Sequence, residues 1–300
     1  MVALQPMNGP IAQFVALTCH ANAFLRGQRI PEFFPNNSTC KFCNWVKFFN
    51  VSKTLFGKAR QAEVATTPNG WFECLKADDV PEVRLSCTRQ NDPGIPDRMS
   101  AAFVGGSGTW SMKVTDRKGK TAVWLSRWEV WNQDAPERRI WRVSYGRVPE
   151  RQSRSEPFID LGGAVARLRV ALQNVYTFSE KHDCGAFTIC FARAIKTLDS
   201  QGSTLHGYHR DLAPEGCLPP LARCLLDACQ TAWVFGGMGS WNDLGFDGAN
   251  QAEYERVSER LFAALNEAIY TGANSSCASR TNSPSTANKP WGLPRFDGHR

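Results

Sequence analysis

Five polar side chains are the candidates for acid–base chemistry in this 300-residue chain. They are His20, His206, His209, Asp211 and Asp243. Imidazole titrates near neutral pH, and a nearby carboxylate can orient the ring or stabilise its charge. His20 cannot form a nucleophile–base dyad with Cys19 on a helix, because adjacent side chains there diverge by about 100°. Any catalytic partner must therefore come from another part of the chain.

The run 209–216 resembles the catalytic loop of protein kinases, H-R-D-x-x-x-x-N. In that loop the aspartate orients the substrate hydroxyl and the asparagine binds magnesium. Gly216 stands where the asparagine should be, and neither a G-x-G-x-x-G loop nor a V-A-I-K lysine precedes the run. Because a kinase needs these parts together, the sequence favours a polar loop between two helices.

The glycine-rich run 236–243 has two interpretations. A phosphate-binding loop follows a strand and opens a helix, whereas these glycines follow a predicted helix, whose carboxyl end is negative. One interpretation is therefore a helix end with Trp241 tucked beneath the helical bundle. The other is a ligand-facing loop, with Trp241, Asn242 and Asp243 as its contacts.

Cys40 and Cys43 form a lone C-x-x-C motif. A zinc site needs further ligands, and His206 and His209 could supply them only if the fold brings them close. On a regular strand, an offset of three places the two cysteines on opposite faces. We therefore predict no metal site and no cofactor.

The eleven cysteines are odd in number and have no compact repeating spacing. This argues against a secreted disulfide framework. No lysine or arginine precedes Arg26, so the start of the chain lacks the charge pattern of a signal peptide. No apolar run approaches the length of a membrane-spanning helix. We therefore predict a cytoplasmic protein with no membrane partner.

Basic and aromatic residues concentrate in the middle of the chain. Residues 101–157 hold 11 Lys/Arg and 6 Asp/Glu, out of a net charge of +7. Arg138, Arg139 and Arg142 lie there among several tryptophans, a combination that suits stacking on single-stranded nucleic acid. The alternation of the strands places most of the tryptophans in the core instead, with arginine stems covering the others.

Hydrophobic periodicity predicts the elements that position these residues. A helix is expected over 10–26, with Gln13 and His20 on its polar face. Period-two patterns then predict strands, and these cover 41–51, 71–75, 82–88, 99–104, 109–114, 121–131 and 138–148. After a polar linker, four helices follow, and Asn250 and Glu253 form a capping-box pattern for the last of them.

The predicted fold class is α+β: an N-terminal helix, an antiparallel β-meander of about six or seven strands, then a C-terminal bundle of about four helices. Residues 1–148 form the helix and sheet, 149–157 the linker, 158–272 the helical region packed on the sheet, and 273–300 a disordered tail. The meander follows because short connections force sequential strands to be antiparallel.

Each catalytic constellation lacks a necessary member. The sequence therefore predicts a non-catalytic binding or interaction protein, with a protein or small-molecule partner in the sheet–helix cleft or on the basic aromatic face. Two alternatives remain open. One is an enzyme that uses the five acid–base candidates in that cleft, and the other is a nucleic-acid-binding protein that uses the three arginines.

Overall fold

A computed structural model describes residues 7–53, 59–88, 97–101, 109–149, 159–200 and 208–277. Within these ranges the chain is α+β, with one six-stranded sheet and seven α-helices. The helices are α1 (Gly9–Leu25), α2 (Pro68–Ala77), α3 (Asp97–Ser100), α4 (Leu161–Lys181), α5 (Ala186–Asp199), α6 (Pro220–Ala232) and α7 (Ala249–Asn274). The strands are β1 (Cys43–Lys53), β2 (Ala59–Ala65), β3 (Val83–Thr88), β4 (Thr109–Thr115), β5 (Thr121–Val130) and β6 (Trp141–Pro149). Short 3₁₀ turns span Ser38–Cys40, Pro136–Arg138 and Trp241–Asp243.

The sheet is mixed, so the prediction of a purely antiparallel meander is wrong. The strand order is β2-β1-β6-β5-β4-β3, and β1 runs parallel to β6, with Val46 opposite Val143. All other neighbouring strands are antiparallel. The rule that short connections force antiparallel pairing fixes only sequential strands. It cannot fix how β1 meets β6, because about ninety residues separate them along the chain.

The stretch 71–75, predicted as a strand, belongs to helix α2. Thr67 caps this helix, because its hydroxyl oxygen accepts a hydrogen bond from the N–H of Gly70 at 3.2 Å. Trp71 and Leu75 are both buried, and a spacing of four residues places them on one helical face. Capping chemistry therefore prevailed over the β propensity of the aromatic residues.

Several predicted boundaries also change. Met99 lies in α3 rather than in a strand, residues 102–104 lie outside the described ranges, and β2 was not predicted. Pro149, assigned to the linker, pairs with Ala122 as the last residue of β6, and 150–157 lie outside the described ranges.

Helix α7 departs from the sequence prediction at both ends. Gly248, at a φ of 55°, occupies its N-cap with no side-chain hydrogen bond, so the capping box at Asn250 and Glu253 is wrong. The helix runs to Asn274, inside the segment predicted as a tail, whereas 278–300 lie outside the described ranges.

Helix α1 passes through the centre of the molecule. Every side chain from Ile11 to Ala23 is buried, because α1 packs against β3 and β4 on one side and α7 on another. The predicted polar face carrying Gln13 and His20 is therefore wrong: both side chains are buried. Each has to find its polar partners inside the protein.

The free edge of the sheet at β3 is covered by two asparagine side chains. Asn22 of α1 accepts from the N–H of Val83 at 2.7 Å and donates to its carbonyl at 2.8 Å. Asn274 of α7 does the same at Leu85, at 2.8 and 2.9 Å. The amides thus take the place of a neighbouring strand and satisfy backbone groups that an edge leaves open.

Helices α4 to α7 pack against one another, and their buried residues join those of α1 and the sheet in one apolar cluster. Across the described ranges, no helix is both long and apolar enough to cross a membrane.

Candidate functional site

A cavity of about 320 Å³ lies between the start of α1, the 3₁₀ turn Ser38–Cys40, strands β5 and β6, and the segment that follows α6. Six of the seventeen described residues in its wall are aromatic, and these are Phe42, Trp128, Trp141, Tyr208, Trp233 and Phe235. No charged side chain of the described residues lines it. Its polar groups include Asn8, Ser38, Thr39 and His209.

Ser38 joins two of the predicted acid–base candidates. The Asp211 carboxylate accepts hydrogen bonds from the backbone N–H of Ser38, at 2.7 Å, and from its hydroxyl. The Ser38 oxygen also lies 2.8 Å from Nδ1 of His209. Since the single hydroxyl proton of Ser38 faces Asp211, we assign the Nδ1 proton to His209, which donates it to the serine oxygen.

His209 is a neutral base in the cavity wall. Burial lowers the pKa of its imidazole from 6.5 to about 4, although the Asp211 carboxylate acts in the opposite direction. With the proton on Nδ1, the lone pair is on Nε2. Nε2 has no hydrogen-bond partner among the described residues. Asn8, which also lines the cavity, has a second acceptor without a partner, its buried Oδ1.

Buried amides fix the segments that carry this group. Gln13 of α1 donates to the carbonyl of Thr39 at 3.1 Å and accepts from the hydroxyl of Tyr145 on β6 at 2.8 Å. Gln230 of α6 accepts from the backbone N–H of His209 at 2.9 Å and donates to its carbonyl at 3.3 Å. The turn and the loop are therefore held to three separate elements.

The segment 37–39 is also bound directly to the loop of Asp211. The side chain of Asn37 donates to the backbone carbonyl of Asp211 at 2.9 Å. Its own oxygen accepts from the N–H and the hydroxyl of Thr39, at 3.0 and 2.6 Å. These bonds order the turn at Ser38 from both sides.

His20 does not line the cavity. Its Nδ1 donates to the carbonyl of Ala16 at 2.8 Å, and its ring meets Phe33 edge-on at 4.9 Å. Burial lowers its pKa from 6.5 to about 4, opposed by the Ala16 hydrogen bond and the Asp211 charge. His20 is therefore a neutral core histidine in the field of Asp211.

The three residues predicted as ligand contacts in the glycine-rich run make structural contacts. Trp241 is fully buried, and its indole donates to Ser258 at 2.7 Å. Asn242 donates to the carbonyl of Arg98 at 2.8 Å. Asp243 accepts from a backbone N–H of the glycine run at 2.5 Å. None of the three lines the cavity, although Gly236 and Gly237 do; their role as ligand contacts stays a prediction.

The three arginines of the predicted basic patch do not line the cavity. Arg138 is exposed, and Arg139 pairs with Glu137 at 2.9 Å. Arg142 lies 4.8 Å above the centre of the Trp131 ring, a cation–π distance. A nucleic-acid interface through the three arginines stays a prediction.

Cys40 and Cys43 lie next to each other rather than on opposite faces. Cys40 ends a 3₁₀ turn and Cys43 begins β1, so the spacing rule for a regular strand does not apply. Both sulfurs lie 3.7 Å from the Gln13 amide nitrogen. The described residues contain no cluster of three or more potential metal ligands. His206, the remaining candidate, lies outside the described residues.

A larger groove, of about 770 Å³, runs between α4 and α7. Its charged groups include Arg167 and Glu267, which bind each other at 2.9 Å. Small apolar residues such as Ala166 and Ala263 make up much of the remainder. We place the candidate site in the smaller cavity, because that one contains a base held by an ordered hydrogen-bond chain.

Sequence reasoning identified His209 and Asp211 but missed Ser38, which links them. It also missed the aromatic lining, which comes from five separate parts of the chain. The polar run 36–39 was a usable signal, because asparagine and serine before a turn commonly cap it. Comparison of the chain with protein-family models, with curated proteins and with solved structures found no match. The function is therefore argued from the site alone.

Proposed function

We propose that this protein binds a small, flat, uncharged aromatic molecule in the cavity beside His209. The observation that carries the proposal is a neutral imidazole, fixed by Ser38 and Asp211, in a wall whose described residues include six aromatic rings and no charged side chain. Nε2 of His209 is then the acceptor for an N–H or O–H donor on the ligand. A few oriented polar groups in a mainly apolar cleft are the usual composition of a ligand site.

Size and charge narrow the ligand class. A cavity of about 320 Å³ is at the small end of ligand pockets. Aromatic walls favour stacked or edge-on aromatic rings over flexible chains. With no lysine or arginine of the described residues in the wall, a phosphate or carboxylate would lose its hydration without gaining a counter-charge.

Two probes of nearly equal shape test the proposal. Indole carries an N–H donor and benzofuran does not, so a hydrogen bond to His209 separates them. A net hydrogen bond of about 1 kcal/mol predicts a roughly fivefold tighter dissociation constant for indole, measured by calorimetry. His209→Phe should abolish this preference, whereas His182→Gln, a change at the end of α4, should preserve it.

A second pair of variants tests where the probes bind. Gly237 lines the cavity, is exposed and has open space around it, so Gly237→Trp is expected to block both probes. Val170→Trp, in the groove between α4 and α7, is the matched control and should leave binding unchanged. Binding that survives Gly237→Trp, or an absence of binding by either probe at millimolar concentration, contradicts the proposal.

An enzyme that uses His209 as a general base is a second candidate, and the Asp211–Ser38–His209 chain favours it. The arrangement differs from a serine-nucleophile triad, because the carboxylate bonds to the serine rather than to the far nitrogen of the imidazole. A base with a pKa of about 4 abstracts protons weakly at neutral pH. Binding is therefore the better-supported function of the two.

A further inference from the structure

Cys217 lies at the end of the loop that carries His209 and Asp211, where that loop meets α1. Its thiol donates to the backbone carbonyl of Cys19 at 3.2 Å, and its sulfur accepts from a guanidinium nitrogen of Arg26 at 3.4 Å. The same nitrogen donates to the backbone carbonyl of Cys217 at 3.4 Å. The two thiols also influence each other's ionisation. A cysteine pair and a cation thus meet at one point.

The surroundings of this pair shift the pKa values of the two thiols in opposite directions. The hydrogen bond from Cys19 lowers the pKa of Cys217 to about 7, with Arg26 and Arg223 adding to the effect and burial opposing it. The hydrogen bond with Cys217, together with complete burial, raises the pKa of Cys19. A thiolate is the form that attacks peroxides, and cations are what stabilise it.

Two other sites in the chain show what is specific about Cys217. Cys40 also has a neighbouring thiol, Cys43, but its interaction with that thiol raises the pKa of Cys40, burial raises it further, and the charge nearby is the Asp211 carboxylate rather than a cation. Cys184 is more exposed than Cys217, yet burial and the adjacent Asp183 raise its pKa. A neighbouring thiol alone, or exposure alone, therefore does not give the environment of Cys217.

We propose that Cys217 is the site at which hydrogen peroxide oxidises this protein, and that Cys19 then closes a disulfide between α1 and the loop of His209. The inference does not depend on what the cavity binds. In the first step the thiolate sulfur attacks one peroxide oxygen: an S–O bond forms, the O–O bond breaks, and hydroxide leaves and becomes water by taking up the proton that the thiol released to solvent on ionisation. Sulfur loses two electrons and the peroxide gains them.

In the second step the sulfur of Cys19 attacks the sulfenic acid on Cys217. An S–S bond forms and the S–O bond breaks. The thiol proton of Cys19 leaves with the hydroxyl group as water. One peroxide is consumed for each disulfide, and two of the eleven thiols disappear.

The experiment is peptide mapping of the full chain after treatment with one equivalent of hydrogen peroxide at pH 7, followed by alkylation of the remaining thiols. The expected first product is a peptide linked through Cys19 and Cys217. Cys217→Ser should abolish it. Cys19→Ser should leave a sulfenic acid on Cys217 that dimedone traps, and Cys184→Ser is the control that should react like wild type.

Arg26→Gln separates the role of the cation from simple proximity. Without Arg26, less thiolate is present at pH 7, so disulfide formation should slow several-fold. At pH 9 both proteins ionise Cys217 and the difference should disappear. A merely structural role for Arg26 would slow the reaction equally at both pH values.

Other linkage patterns overturn the proposal. A first disulfide between Cys40 and Cys43 would mean that a neighbouring thiol suffices, and first oxidation of Cys184 would mean that exposure decides. A link that includes Cys277 in place of either partner would also contradict it. If Cys19→Ser fails to fold, the map of the wild-type protein still decides among these outcomes.

Discussion

Acidification is expected to destabilise this protein through His209. Burial lowers the pKa of that imidazole from 6.5 to about 4 in the folded state. Below pH 6.5 the unfolded chain therefore takes up a proton that the folded protein does not. The free energy of unfolding consequently decreases as the pH is lowered. The contribution is fully present above pH 6.5 and is lost by about pH 4.

The size of the effect follows from the two pKa values. A change from 6.5 to about 4 corresponds to about 3 kcal/mol when the whole range is crossed. About 2 kcal/mol of this falls between pH 7 and pH 5, because the folded imidazole stays neutral at both while the unfolded one becomes charged. Two kcal/mol is readily resolved in urea unfolding curves.

The assay compares wild type with His209→Gln at pH 7 and pH 5. The glutamine amide can still donate to Ser38, so the variant keeps a hydrogen-bond donor at position 209 but has no side chain there that gains a proton. Carboxylates contribute equally to both proteins and cancel in the comparison. The variant should lose about 2 kcal/mol less than wild type between the two pH values.

Parallel losses in the two proteins would refute the reasoning, because they would mean that His209 gains its proton equally in the folded and unfolded states. The same conclusion would follow if the imidazole carbon-bound proton resonance of His209 titrated near pH 6.5. A neutral acceptor in the cavity wall would then be absent at mildly acidic pH, and the proposed ligand class would lose its main support.

Two further predictions concern structural contacts of residues that do not line the cavity. Asn274→Ala leaves the N–H and carbonyl of Leu85 buried without the partners that the amide provides, so it should lower the free energy of unfolding by about 2–5 kcal/mol. Asn274→Gln should recover part of this loss, and thermal unfolding measures both variants. Arg98, whose side chain is 2% exposed, binds Glu255 and Glu259. Replacing both glutamates by glutamine should destabilise the protein more than Arg98→Met does, because the glutamate replacements leave the buried charge of Arg98 unpaired and Arg98→Met removes that charge. Equal costs for these two changes in urea unfolding would contradict this account.

The parts of the fold that follow from local chemistry could be predicted from the sequence. Strands β3 to β6 follow from period-two alternation and short turns, and α4 to α7 from apolar stripes. The predictions are wrong where a helix cap or a contact between distant residues determines the structure. Thr67 turns an aromatic run into a helix, and the parallel pairing of β1 with β6 depends on residues far apart in sequence.

The candidate site shows the same division between local and distant information. His209 and Asp211 are two residues apart, and their chemistry made them visible as candidates. Ser38 precedes His209 by 171 residues, and nothing in its own neighbourhood shows that it bonds to both. The aromatic lining was visible only as separate strand residues, because no sequence period relates one loop to another.

One sequence signal could have moved the prediction closer to the structure. Helix α1 contains no charged residue over its seventeen positions, and a helix without a charged face is typically buried on all sides. Its polar residues must then bond to other buried groups, since burial without a partner is costly. Gln13 and Asn22 do so, and they hold the turn of the cavity and the edge of the sheet. The scarcity of charge in a helix, more than any short motif, therefore indicates which polar residues organise a site.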